Sequence, residues 1–284
     1  MMEKTLQIHW IKKLLLVAVL ALPGAVFGQV SSQAAEDLLK KNGMWDQLDG
    51  VSAQSSAGFE QALERGESKM TPQERKRLTG LFADAYNVTR LRAVVLRVVQ
   101  AGVKPQQLSA LRSWYESPVG KDITAREVAA DTGAEPPEQH IRRGMDALAH
   151  ATDQRKAQLN HIVEVTHAAE AGATILIDSA VAIRQGIVGV DPATPGPSAQ
   201  ELADALAKQR PQLEQRYAAV TAATMASMYE AVSDADLQSY VDFLASPAGE
   251  GFNRICIEAL RQSMIDGGAE FGRLLKQSGL KKSA

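Results

Sequence analysis

The stretch FLASPAGEG at residues 243–251 echoes an earlier one, WYESPVGKD at residues 114–122. In each, an aromatic residue precedes Ser-Pro-x-Gly by three places: Trp114 before Ser117, Pro118 and Gly120, and Phe243 before Ser246, Pro247 and Gly249. Leu108, Leu111 and Tyr115 lie on one apolar helix face ahead of the first motif. Proline excludes the residue before it from helical geometry, so that helix must stop at the serine. Proline also suits the first position of a new helix, where no amide donor is needed, and a serine before it can cap the new helix. Ser-Pro therefore predicts a sharp helix-to-helix corner, and Gly120 and Gly249 would let a neighbouring backbone come close there.

The two serines lie 129 positions apart, and at that offset the likeness extends without a gap. Leu108 falls on Leu237, Leu111 on Tyr240, Trp114 on Phe243 and Tyr115 on Leu244. Ile123 falls on Phe252 and Val128 on Ile257, and upstream Leu96 meets Met225 and Val99 meets Met228. Gly43 lands on Gly172. Apolar character kept at helical spacing points to a tandem duplication. The expected fold is all-α: two tandem multi-helix units, each with a helix–corner–helix hairpin, at residues 29–135 and 165–284, joined by a helical connection at 136–164. Aromatic residues are only 5% of the chain and no run alternates as a strand does.

Local signals fill in the elements. Thr71, Pro72 and Glu74 form a capping box that opens a helix reaching to about Gly102, broken near Asn87. The helical pattern from Pro137 to Ile187 is expected to break at Ala171-Gly172. Residues 189–198, GVDPATPGPS, read as a loop, with new helices behind Ser198 and Ser233. A last short helix is expected within residues 267–284.

Residues 1–28 read as a signal peptide. Lys4, Lys12 and Lys13 precede an uncharged apolar run from Leu14 to Val26, and Val26 and Gly28 suit a cleavage site after Gly28. That run is shorter than the about 20 residues a bilayer-spanning helix needs. The expectation is an exported, periplasmic product with no stable membrane insertion, since no later stretch reaches 18 uninterrupted apolar residues. Removing Lys4, Lys12, Lys13 and Glu3 from the 31 basic and 33 acidic residues leaves a net charge of −4. So mild an acidic balance argues against nucleic acid as partner. Cys256 is alone, which excludes an intramolecular disulfide, and its apolar neighbours mark it as a small buried side chain.

In its motif residues LRSWYESPVG and LQSYVDFLASPAG, with the leading EDLLKKNG, the chain resembles a family of secreted bacterial helical domains of unknown function. That resemblance implies an exported all-helical protein, and it carries no catalytic residues over. The chain departs from it in holding two copies, the second with HAAEAGATIL in place of the polar leading helix.

The chemistry sought is sparse. There is no Gly-rich phosphate loop, no Gly-x-Ser-x-Gly and no His-Glu-x-x-His. Glu164 and His167 give one Glu-x-x-His, and a di-iron bundle needs a second. No metal or other cofactor is expected. Three functions compete: a non-catalytic periplasmic interaction or envelope-maintenance protein with an unknown protein partner, a carrier holding an apolar ligand in a helical cavity, and a serine hydrolase acting through Ser117 or Ser246. The carrier draws on the methionines of TMASMYEAV (224–232) and on VVLRVV (94–99).

Overall fold

A computed structural model describes residues 29–65, 70–132, 136–190, 192, 194 and 196–279. The expected signal peptide lies outside them. Among the described residues the chain is all-α, with twelve helices and no strand. They are α1 (Ser32–Lys41), α2 (Met44–Arg65), α3 (Pro72–Ala85), α4 (Val88–Gly102), α5 (Pro105–Glu116), α6 (Pro118–Thr132), α7 (Pro137–His150), α8 (Asp153–Val165), α9 (Ala168–Val190), α10 (Ala199–Met228), α11 (Asp234–Leu244) and α12 (Pro247–Ser278).

Caps fix most starts. The Thr71 hydroxyl accepts from the Glu74 amide while the Glu74 carboxylate accepts from the Thr71 amide, and Ser198 and Glu201 form the same box ahead of α10. Asn87 caps α4 through the Arg90 amide, placing the break between α3 and α4 near Asn87. Other boundaries differ from the sequence reading. The stretch 137–187 breaks at Ala151-Thr152, where Thr152 caps α8, and again at Thr166-His167. His167 takes the left-handed φ of +50° that Gly43 takes at +80° between α1 and α2. Gly172, the expected break, lies inside α9 against the Tyr217 ring. The last helix is not short: α12 runs 32 residues, straight through Gly267-Gly268.

Two cores form, and each borrows from the other half. The first gathers α1–α5 around Leu38, Leu48, Tyr86, Val95 and Leu111, and is completed by Phe252, Ala259, Phe271 and Leu275 of α12. Phe59 stacks on Phe82 at 4.0 Å between centroids, and Phe271 meets both edge-on at 5.3 Å. The second core is built from α8, α10 and α11 and is completed by Ile123 of α6. Ile123 and Phe252, counterparts at the 129-residue offset, thus each sit in the opposite half's core. The expected boundaries at 135 and 165 therefore do not divide the chain into separately packed bodies. The connection 136–164 is itself structural: α7 lies on α10, and Leu159 and Ile162 of α8 are buried in the second core.

Helix α9 lies between α10 and α12. By length and composition it could cross a bilayer, but its Asp178 pairs with Arg261 of α12 at 2.5 Å. Its crossing with α12 brings backbone onto backbone. A β-carbon added at Gly272 would stand 2.5 Å from the Gly186 Cα, and one at Gly268 would stand 2.8 Å from Ala182. Replacing Gly272 by Val should therefore cost more than the about 1–3 kcal/mol of ordinary overpacking, because rigid backbone must yield. Urea unfolding of Gly272→Val against Gly189→Ala, whose site is open, measures this.

Candidate functional site

The serines of the two motifs end α5 and α11 in extended geometry, with φ, ψ of −66°, 155° at Ser117 and −70°, 153° at Ser246. The Ser117 hydroxyl donates to the Trp114 carbonyl at 2.7 Å and accepts from the Gly120 amide at 2.9 Å. Ser246 does the same with the Phe243 carbonyl at 2.6 Å and the Gly249 amide at 3.1 Å. Gly120 and Gly249 have no room for a side chain: a β-carbon would fall 2.1 Å from the Trp114 carbonyl oxygen and 2.0 Å from that of Phe243. Each hydroxyl is thus spent on backbone, and no imidazole is among its partners. The two corners meet, with Trp114 stacked on Phe243 at 4.6 Å and an interplanar angle of 7°.

Beside this stack, where the halves join, lies a cavity of about 380 Å³. Both halves supply its walls. Asn42, Met44 and Gln47 come from the α1–α2 junction, and Thr166, Ala168 and Ala171 from the α8–α9 junction. Tyr115 and its offset counterpart Leu244 both line it, as do Glu127 and Cys256. Phe252, Ile257 and Leu260 of α12 line the apolar side. A larger groove of about 760 Å³ lies along the start of α5 and Pro247, is about as open to solvent as the seam cavity, and has Lys104 as its sole ionisable lining residue.

The cavity has one polar cluster. Tyr229 and Tyr240, both from the second half, donate to the same Glu127 oxygen, Oε1, at 2.6 and 2.7 Å. The Asn42 amide donates to the Cys256 sulfur at 3.8 Å and lies close to the Tyr115 hydroxyl. Burial raises the Tyr115 and Tyr240 hydroxyls well above their usual range, with the nearby Glu127 charge adding to it. Burial pushes the Cys256 thiol up to about 12, against a partial lowering by Asn42. A thiol so held is a poor nucleophile.

Sequence reasoning finds Tyr115 and Tyr240 only as apolar face positions, and does not single out Glu127, whose role depends on groups 102 and 113 residues away. The methionines expected as cavity lining are elsewhere, since Met225 and Met228 pack against the second core. His167 is exposed and pairs with Glu170, and no group of three or more possible metal ligands occurs among the described residues. A serine–imidazole contact does lie elsewhere, between Ser227 and His140 at 3.3 Å, where the serine also accepts from Arg143. No protein-family model, curated protein or solved structure matches the chain.

Two outcomes are expected from these geometries. Gly120→Ala and Gly249→Ala should each cost several kcal/mol, whereas Ser117→Ala and Ser246→Ala should cost the about 0.5–2 kcal/mol of a lost cap; calorimetric melting compares the four. Tyr86, Tyr115, Tyr240 and Cys256 all have folded-state values raised by burial. The unfolded chain therefore loses these protons first, so stability is full below the ordinary thiol value of 9.0 and falls as pH rises through it. Denaturant midpoints from pH 7 to 10.5 should decline only above about pH 9, with a shallower decline in Cys256→Ala.

Proposed function

We propose that the protein acts outside the cytoplasm as a non-catalytic binding protein, and that the cavity at the seam holds a small amphipathic molecule. One observation carries this reading: the cavity has a hydrogen-bonded polar cluster on one side and aliphatic and aromatic walls on the other. Small-molecule sites combine a largely apolar lining with a few placed polar groups in this way. The export assignment rests on residues 1–28 of the sequence, and the offset pattern supports descent from one duplicated unit. The hydrolase alternative loses support at Ser117 and Ser246, whose hydroxyls are engaged with main chain. An interaction protein would need a docking surface, for which exposed Met145 and Leu176 offer only isolated apolar side chains.

Protein purified without denaturation should carry a small-molecule adduct in native mass spectra. Ala171→Phe, which fills the cavity from α9, should lose the adduct while keeping its helical circular dichroism. A bare mass for the unaltered protein, together with no uptake of a fluorescent apolar probe, overturns the reading.

A further inference from the structure

The lining of the seam cavity has a sign. Glu127 is the sole charged side chain among the described residues that line it; no Lys, Arg or His is among them. Two tyrosine hydroxyls converge on Glu127 Oε1, an arrangement that suits an ionised carboxylate, which is acceptor-only. Tyr115, Tyr240 and Phe252 supply aromatic rings to the same space. A carboxylate and aromatic faces in a confined, partly dry space favour a cation through charge pairing and through the ring quadrupole. The first turns of α2, α9 and α12, at Met44, Ala168 and Gly249, pull the other way with about half a positive charge each, and the C-terminal ends of α1, α5, α8 and α11, at Asn42, Tyr115, Thr166 and Leu244, offset them with about half a negative charge each.

The lining also has a direction. At the paired positions the first half contributes Asn42, Tyr115 and Glu127, where the second contributes Ala171, Leu244 and Cys256. A ligand held here lies with its polar end toward α1, α5 and α6 and its apolar body toward α9 and α12. We infer that the cavity takes a small amphipathic organic cation, an ammonium head on an apolar tail, with Glu127 pairing with the head. The inference rests on the cavity's being a binding site.

Calorimetric titration of the full chain with octylammonium, octanol and octanoate tests both at once. Octylammonium should bind at least tenfold more tightly than either of the others. Glu127→Gln should bring it down to the octanol level and leave octanol unchanged. Octanoate binding as tightly as octylammonium, or an amine preference that survives Glu127→Gln, overturns the cation assignment while the cavity stands as a site. Failure of all three probes to bind overturns the cavity itself. Should Glu127→Gln not fold, the ranking of the three probes on the unaltered protein decides.

Discussion

Two absent β-carbons govern the architecture. At Gly120 and Gly249 the carbonyl of the aromatic residue six places earlier occupies the space a side chain would need. That closeness lets one serine hydroxyl span the end of one helix and the start of the next, accepting an amide and donating to a carbonyl. Four backbone groups that helix termini usually leave to solvent are thereby satisfied inside the protein. The bend also sets the direction in which the next helix runs. Helix α6 packs on α2 and α5 and sends Ile123 into the second core, while α12 packs on α9 and sends Phe252, Ala259, Phe271 and Leu275 into the first.

The reach of α12 along both halves accounts for its length and its composition. It begins at a corner in the second half, passes the cavity, crosses α9 and ends among Phe59 and Phe82 in the first core. Glycines along it serve different neighbours: Gly267 makes room for the Tyr86 ring, and Gly268 and Gly272 admit α9. Each glycine weakens the helix by up to about 1 kcal/mol relative to alanine. Tertiary contact repays this, including the Tyr86 hydroxyl bond to the Met264 carbonyl at 3.1 Å and the pairs of Arg90 with Glu270 and Arg97 with Asp266. With its cores so interlocked, the chain has no point at which one half can be removed without opening the other.

What the sequence made legible was local. The corners, the Thr71 and Ser198 boxes and the Asn87 break are written within four residues of where they act, and their chemistry needs no knowledge of the fold. The misplaced boundaries have the opposite character. Gly172 and Gly267-Gly268 look like helix stops, since glycine favours ends, yet each is set by a partner more than forty residues away: Tyr217, Tyr86 and Ala182. The turn at Thr166-His167 carries no glycine, and its left-handed residue is a histidine. The paired apolar positions marked which faces are buried, but not against which half. Which half a face packs against leaves the pattern of faces unchanged, so periodicity alone cannot report it. The cavity stayed hidden for the same reason, being assembled from α2, α5, α6, α9, α11 and α12 with the turns at Asn42 and Thr166.

The cavity's two sides differ although their frame is the same, and that difference separates what folding needs from what it does not. At the position of Glu127 the other half has Cys256, a small neutral group, and the corner beside it has the same hydrogen bonds within 0.2 Å. The frame therefore accepts a neutral residue there. Placing a carboxylate in partly dry surroundings costs desolvation energy that packing alone does not return. Tyr229 and Tyr240 offset part of that cost by donating to one oxygen, and both come from the opposite half, so the cluster spans the seam instead of stabilising either corner. This carboxylate, which the frame does not require, is the group on which the proposed binding role turns.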